Sequence, residues 1–316
     1  ESYRAISLCS TILKLYEKVI LLFMKTDGHI KLNSQQGGYQ RNFNCLMTTF
    51  MLRESVSYAI ERNSPVYACF LDARQAFDRT WHSLLLLKLY KTGIHVALFK
   101  TILSLFENVY SCVRSNGYVS DWFPIKQGTR QGQCLSPYLY LVFINDLLNT
   151  IDESNDSLSI EGIKCGVPTS ADDMAVLCLN KNRLQNVINT CFSNSINECY
   201  EYNPKKCNVV IFNTTIVSDA ANRRQWSLGS GVIEEAKQYT HIGVTCDNTL
   251  SIDINVEEFC SKLRQTFFSL IDLGMNRDGL HPLTSKHLYE SVVLPRALFG
   301  CELWVNLSEA HILKLE

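Results

Sequence analysis

The sequence of 316 residues lacks the features that define several large classes of protein. Its apolar runs, such as Val19–Met24, are far too short to span a membrane, and no membrane partner is expected. It contains 13 cysteines but no Cys-x-x-Cys pair and no Cys/His spacing typical of a metal site. Because these cysteines are scattered through apolar runs, we expect core residues in a reducing, intracellular compartment.

An excess of basic charge is also absent. The chain has 30 Lys and Arg against 31 Asp and Glu, which gives a net charge of −1. Proteins that bind nucleic acid usually carry a basic surface, because phosphate contacts dominate their affinity. Any basic groove must therefore be local and balanced by acids elsewhere. The 46% of apolar residues and the length predict a folded chain with more than one core.

Three carboxylates stand at the ends of two short apolar stretches. Asp72 follows Val66–Leu71, and Asp172 and Asp173 run directly into 174–179. Both stretches are rich in strand-forming residues and predict buried strands. Acids that converge from two strand ends can hold divalent metal, which is the minimal equipment for two-metal phosphoryl transfer. A nucleic-acid polymerase is therefore the leading interpretation.

The remaining pattern predicts an α+β body followed by an all-helical tail. Asn116-Gly117 predicts a hairpin between 111–113 and 118–119. Further strands are predicted over 207–212, 226–233 and 239–245. Apolar spacing predicts helices over 5–24, 45–62, 81–91, 96–109, 136–149, 183–201, 256–273, 283–294 and 296–305.

Eight motifs in a fixed order make the chain similar to the reverse transcriptase domain of non-LTR (LINE-type) retrotransposons. Each motif is weak alone, but the order and spacing make the assignment strong. They are the N-terminal strings 3–8 and 16–20, Gln36-Gly37-Gly38-Tyr39, 70–78, 128–137 with 144–147, Ala171-Asp172-Asp173, 203–207, 239–244 and 300–304.

The resemblance implies a right-hand polymerase with fingers, a palm built on an antiparallel sheet, and a helical thumb. Fingers are expected over 1–65, with an insertion carrying the hairpin over 94–126. The palm is expected over 66–93, with the first catalytic strand, and over 127–248, with the second catalytic turn and a primer-grip hairpin. The thumb is expected over 249–316, truncated because the chain is taken to be a fragment of a longer protein.

The resemblance also implies a catalytic role for the three acids. Asp72 and Asp172 are expected to bind two Mg²⁺ ions, which Mn²⁺ can replace, together with the incoming triphosphate. Asp173 is assigned to the same site, either as a ligand or as a group that orients it, because adjacent acids on an extended turn point to opposite sides. An isolated Asp after a strand is more often a helix cap, which is the interpretation we favour for Asp78.

Further roles follow from the same resemblance. Phe77 is expected to lie under the sugar and exclude a ribose 2′-hydroxyl, although a plain core phenylalanine explains it equally well from sequence. Lys206 or Lys205 is a candidate general acid for the leaving pyrophosphate, although a lysine that is merely solvated explains the pattern as well. Residues expected to contact the nucleotide are Ala73, Phe77, Arg130, Gln131, Gly132 and Arg41, and those of the primer grip are Tyr239, His241 and Gly243.

The implied partners are an RNA template, a DNA primer and dNTPs, with a nuclear location and any endonuclease on another segment. Two residues depart from the family pattern: Ser170 stands where Tyr or Phe is usual, and Gln40 where Arg is common. These departures leave open a decayed copy that binds nucleic acid without extending it. The sequence also leaves open a group II intron maturase-like polymerase, an RNA-copying RNA polymerase and a purely structural module.

Overall fold

The computed structural model describes residues 6–213, 225–276 and 278–315. Residues 3–5 of the first predicted motif lie outside the described residues. The helices are α1 (Thr11–Thr26), α2 (Cys45–Glu61), α3 (His82–Lys91), α4 (Val96–Ser104), α5 (Ser136–Glu153), α6 (Lys181–Asn197), α7 (Asp253–Ile271), α8 (Pro282–Leu288), α9 (Leu294–Ala297) and α10 (Glu309–Leu315). No helix among these residues is both long and apolar enough to cross a membrane.

One six-stranded sheet and four two-stranded ribbons are present in the described part of the chain. The sheet has the order β11-β12-β10-β1-β9-β8, and the ribbons are β2-β5, β3-β4, β6-β7 and β13-β14. The strands are β1 (Val66–Leu71), β2 (Tyr110–Ser111), β3 (Arg114–Ser115), β4 (Tyr118–Val119), β5 (Phe123–Pro124), β6 (Ser159–Ile160), β7 (Ile163–Lys164), β8 (Thr169–Ser170), β9 (Asp173–Cys178), β10 (Asn208–Phe212), β11 (Trp226–Leu228), β12 (Gly231–Glu235), β13 (Gln238–His241) and β14 (Val244–Asp247).

Strand β1 lies inside the sheet and runs antiparallel to β9 on one side and β10 on the other. All six of its residues are buried, because both faces of the sheet are covered. One face of β1 packs in a cluster with α5 and α6, and the other, which includes Ala68 and Phe70, packs against Leu52 and Val56 of α2. Burial on both faces explains why the strand is a continuous apolar run and does not alternate.

Helix α5 fills one side of this core. It begins at Ser136 with Pro137 in its first turn, where a missing backbone N–H costs nothing. Most of its residues are buried, as the apolar sequence predicts. The C-terminal unit consists of α7 to α10, with one π-helical turn (Tyr289–Val293) between α8 and α9.

Several element boundaries differ from the sequence prediction. Helix α1 begins at Thr11 and not at residue 5, because the Ser10 hydroxyl accepts a hydrogen bond from the Leu13 N–H and caps the helix there. Helix α6 ends at Asn197 and not at 201. Helix α4 ends at Ser104 and not at 109. The predicted helix over 296–305 is wrong: α9 ends at Ala297 and a single 3₁₀ turn follows Gly300, whose φ of 88° breaks the helix.

The predicted hairpin at Asn116-Gly117 is confirmed. Ser115 pairs with Tyr118, and φ is positive at both loop residues (49° and 85°), as a type I′ turn requires. Its strand before the turn is 114–115 and not 111–113, since Ser111 pairs with Phe123 in a neighbouring ribbon. The Asn-Gly pair thus fixes the turn, while the pairing of the flanks depends on the rest of the loop.

Candidate active site

The strand ends that carry the acids are neighbours in the sheet. Leu71, the last residue of β1, pairs with Met174 of β9. The next residue beyond this pair is an acid on both strands, Asp72 on one and Asp173 on the other. Because the two strands are antiparallel, the end of β1 and the start of β9 lie at the same edge of the sheet. The sequence prediction that these acids converge is therefore supported by the strand register.

Asp172 sits at the tip of a two-residue hairpin loop. Ser170 of β8 pairs with Asp173 of β9, so Ala171 and Asp172 form the whole loop between them. Ala171 has a φ of 58°, a left-handed conformation that is uncommon for a residue with a side chain. A positive φ at this position is a normal requirement of two-residue hairpin turns. The turn holds Asp172 half-buried and leaves Asp173 exposed.

Burial and the charges of the three acids raise the pKa of three nearby tyrosines. Burial, followed by the charges of Asp173 and Asp72, raises the pKa of Tyr239 to about 12. Burial and then Asp172 raise the pKa of Tyr39. The pKa of Tyr140 is also raised, first by burial, then by the charge of Asp172, and to a smaller extent by that of Asp173. The three carboxylates therefore act on one shared neighbourhood.

The donor set at this edge consists of carboxylate oxygens, which are the ligands of hard cations such as Mg²⁺. In the described ranges, no group of three His, Cys, Asp or Glu side chains is close enough together to hold an ion. The residues fit a site in which two carboxylates share the cation with substrate oxygens.

Phe77 and the loop before α5 are joined by hydrogen bonds. The Thr129 N–H donates to the Phe77 carbonyl over 2.7 Å, and the Gly128 N–H donates to the Thr80 carbonyl over 2.8 Å. The Phe77 ring also stacks on Tyr140 of α5, with ring centroids 4.5 Å apart. The structure thus brings Phe77 next to the segment that continues as Arg130, Gln131 and Gly132.

These three predicted residues form the end of that loop. Arg130 and Gln131 are half-buried, and Gly132 is exposed with a φ of 114°. The Gln131 carbonyl accepts a hydrogen bond from the Ser7 N–H over 2.8 Å, and a Cβ at Gly132 would lie 2.6 Å from the Ser7 carbonyl oxygen. The segment before α1 therefore holds the loop in place, which its sequence did not indicate.

The lysine-bearing turn lies against the end of β1. The Asn203 N–H donates to the Asp72 carbonyl over 2.8 Å, and the Asp72 N–H donates to the Cys207 sulfur over 3.3 Å. Lys205 and Lys206 are exposed on the turn between these two contacts. Backbone pairing of Ala73 with Tyr202 continues the same junction. The turn that carries Lys205 and Lys206 is thus held to Asp72 through the backbone.

The predicted primer-grip residues form the ribbon β13-β14. Tyr239 stacks on Phe70 of β1, with centroids 4.2 Å apart and planes at 14°. His241 is buried, and its ring interacts with the Asp173 backbone. Gly243 lies at the ribbon tip with a φ of 82°, where a Cβ would lie 3.1 Å from the Phe299 ring. The ribbon therefore connects the sheet edge with the C-terminal unit.

The loop Gln36-Gly37-Gly38-Tyr39 lies directly against the Asp172 turn. The Gly37 N–H donates to the Thr169 carbonyl over 2.8 Å, and the Gln36 side-chain oxygen accepts from the Ala171 N–H over 2.8 Å. Tyr39 and Arg41 are exposed just beyond this contact.

The two departures from the family pattern have a structural account. The Gln40 side-chain amide donates to the Gln36 carbonyl, so it turns back onto its own loop. Ser170 is buried, and its hydroxyl lies 3.8 Å from the Cys45 sulfur of α2.

Two residues of this site have no role that the sequence predicts. Tyr140 lies within an apolar helix, and its stacking on Phe77 connects it with the site. Gln36 belongs to a sequence motif, but its contact with Ala171 joins residues 135 positions apart. No local pattern could reveal either contact.

A mixed sheet that places acids at the adjacent ends of two antiparallel strands, beside a pair of stacked aromatic rings and a glycine loop, is the architecture of a right-hand polymerase. Residues 1–246 match the family described as reverse transcriptase (RNA-dependent DNA polymerase). The chain belongs to this family, and the prediction of a reverse transcriptase domain of the non-LTR type is confirmed.

Curated relatives agree with this assignment. The chain is 27% identical over its full length to the RNA-directed DNA polymerase from mobile element jockey of Drosophila melanogaster, and 27% identical over 96% of its length to a probable RNA-directed DNA polymerase from transposon BS of the same fly. In each comparison it spans 34% of the relative, about a third of its length.

Solved structures share the fold. An apo telomerase from Candida tropicalis truncated from its C-terminal domain superposes with a TM-score of 0.52 at 15% identity, over 75% of this chain and 45% of that one. A second apo telomerase structure from the same organism gives a TM-score of 0.51 at 14% identity, over 93% of this chain and 50% of that one. These likenesses confirm the right-hand fold.

Proposed function

We propose that this chain extends a DNA 3′ end from dNTPs on an RNA template. The observation that carries the proposal is the pairing of Leu71 with Met174, which sets Asp72 and the Asp172-Asp173 turn at one edge of the sheet. Family membership and the RNA-directed DNA polymerase relatives support the same reaction. The relatives are about three times as long as the matched region, so the choice of template and target site is not assigned to this chain.

Asp72 and Asp172 are the proposed ligands of two Mg²⁺ ions, for which Mn²⁺ can substitute, and Asp173 orients the site from the exposed side of the turn. When bound, such ions stabilise the charge that develops on the attacking and leaving oxygens. The chain supplies the anionic edge that attracts them. Substrate oxygens complete the set of ligands around the ions.

The other predicted residues have roles consistent with their positions. Phe77 forms the floor that excludes a 2′-hydroxyl, and its contact with the loop at Thr129 holds Arg130, Gln131 and Gly132 beside it. Ala73 follows Asp72, and Arg41 extends from the loop at Tyr39 toward solvent. Lys206 or Lys205 donates a proton to the leaving pyrophosphate. Tyr239, His241 and Gly243 form the ribbon that holds the primer end.

The proposed domains follow the positions of these elements. Residues 66–93 and 127–248 form the palm, 1–65 and 94–126 the fingers, and 249–316 the thumb. An RNA template and a DNA primer are the proposed partners, and the nucleus is the proposed location, since synthesis on chromosomal DNA requires it.

The test is primer extension on a poly(rA)/oligo(dT) hybrid with dTTP and Mg²⁺. We expect extension by the wild-type chain and none by Asp172→Ala. The matched control is Asp278→Ala, which removes an exposed acid on a turn of the C-terminal unit. Binding of the hybrid is measured in parallel. A folded wild-type chain that binds the hybrid but does not extend it indicates a decayed copy. Extension that survives in Asp172→Ala contradicts the assigned site.

A further inference from the structure

We propose that Gln36 is a positioning residue that holds the catalytic turn in its working conformation; this rests on the proposed polymerase function. Gln36 is 1% exposed and lies in the loop before α2. Its side-chain oxygen accepts hydrogen bonds from the Ala171 N–H at 2.8 Å and from the Gly38 N–H at 2.9 Å. One amide group therefore ties the turn that presents Asp172 to the loop that presents Tyr39.

The segment around Gln36 is docked as an extension of the sheet. Gln36 pairs in parallel with Thr169 of β8, and two backbone hydrogen bonds flank this pair. Gly37 donates to the Thr169 carbonyl over 2.8 Å, and Thr169 donates to the Gln35 carbonyl over 3.1 Å. Since β8 leads directly into the turn, the docked segment ends where the turn begins.

The conformation of the turn gives the Gln36 contact its importance. Ala171 adopts a φ of 58°, and an L-residue with such a backbone is held there only when its surroundings over-determine the conformation. The Gln36 oxygen binds the N–H of this same residue. Gly38 fits closely on the other side, because a Cβ there would lie 2.6 Å from the Ala171 nitrogen.

The other half of the Gln36 amide makes no comparable contact. Two backbone donors fix the oxygen position, so the side-chain nitrogen must face the other way. That nitrogen is buried and has no partner in the described structure. A buried donor without a partner is unfavourable, so this nitrogen offsets part of the stability that the two hydrogen bonds of the oxygen contribute.

The position of the contact suggests what it couples. Arg41, which is proposed to contact the nucleotide, follows Gln36 by five residues. Asp172, which is proposed to bind metal, follows Ala171. A nucleotide that settles against the loop can therefore set the turn through one shared hydrogen-bond acceptor.

The experiment compares Gln36→Met with Gln35→Met. Gln35 is a matched control because it is also buried, at 2% exposed, and makes two side-chain hydrogen bonds, to the Val167 N–H and to Asp152. Neither of these bonds reaches the turn. We expect Gln36→Met to lower kcat at least tenfold and to speed exchange of the Ala171 amide hydrogen at least tenfold, with KM for the hybrid unchanged within twofold. Gln35→Met should lower the unfolding midpoint as much but keep kcat within threefold.

Equal kcat values for the two variants at equal folded fraction would overturn the proposal. If Gln36→Met does not fold, the wild-type chain still decides it, because an Ala171 amide that exchanges as fast as an unstructured peptide excludes the bond. Exchange needs no catalysis. An inactive wild-type chain with a protected Ala171 amide would therefore remove the polymerase function and leave the Gln36 contact standing.

Discussion

Phe77 stacks on Tyr140, with ring centroids 4.5 Å apart and planes inclined by 27°. Tyr140 is 3% exposed in the second turn of α5, whereas Phe77 is only half-buried. Stacked rings of this kind contribute about 0.5–1.5 kcal/mol beyond their area burial. The Phe77 ring proposed to lie under the sugar is thus supported by a buried ring of a core helix. The proposal can be tested by changing either ring.

Replacing Phe77 with Val should admit ribonucleotides. The smaller side chain leaves room for a 2′-hydroxyl, so we expect the preference for dTTP over UTP in kcat/KM to fall at least tenfold. Tyr140→Phe is the matched control, because it keeps the ring under Phe77 and should keep the preference. Steady-state incorporation of each nucleotide measures it. An unchanged preference in Phe77→Val would show that Phe77 is a core residue only.

Replacing Gly38 with Ala should impair extension more than it impairs folding. The added Cβ would lie 2.6 Å from the Ala171 nitrogen, and this backbone atom cannot move without moving the Asp172 turn. We expect kcat to fall at least tenfold. The control combines Gly37→Ala with Thr48→Ala, because the new Cβ at Gly37 meets the Thr48 hydroxyl, which the second change removes. A similar loss of kcat in the control would contradict this account.

His241 should make stability fall in mild acid. Burial lowers the pKa of His241 to about 4, against the opposing effect of the Asp173 backbone. The unfolded chain takes up a proton near pH 6.5 and the folded chain only near pH 4, so the unfolded state gains protons first as pH falls. This difference in pKa lowers the free energy of unfolding by about 2 kcal/mol between pH 7.5 and pH 5. Urea unfolding at both pH values checks it, and His241→Phe should have a pH dependence smaller by that amount; equal dependence would refute the prediction.

Substitution of Lys88 should lower the stability of the fold more than substitution of an exposed charged residue. Its ammonium group is 6% exposed and donates to Glu198 over 2.6 Å and to the Phe143 carbonyl, so it links α3 with α5 and with the residue that follows α6. Lys88→Met would leave the Glu198 carboxylate buried without its cation, at a cost of about 3–5 kcal/mol.

The control for Lys88 is Lys286→Met, whose pair with Glu290 is exposed at 3.7 Å. An exposed pair of this kind contributes less than about 0.5 kcal/mol. Urea unfolding of the two variants should therefore differ by several kcal/mol. Adding Glu198→Leu to Lys88→Met should recover most of the loss, and a double variant as unstable as the single one would contradict the ion-pair explanation.

The sequence by itself determined most of the elements and the class of reaction. The run at β1 predicted a doubly buried strand because both of its faces require apolar side chains, and Asn116-Gly117 predicted a hairpin because only such residues readily take two positive φ values. The carboxylates beside two such strands identified the class of reaction. Local rules were less reliable at helix ends, since Ser10 and Gly300 act through capping geometry and backbone conformation.

Only the tertiary structure decided which residues work together. Gln36 and Ala171 are 135 positions apart, and Lys88 and Glu198 are 110 apart. Periodicity describes one element against an unspecified core, so it carries no information about which side chain of another element fills the facing position. Three contacts arise only when the sheet, α5 and the docked loop pack together: the register of β1 on β9, the stacking of Phe77 on Tyr140 and the bond from Ala171 to Gln36. Each depends on distances that no single element sets.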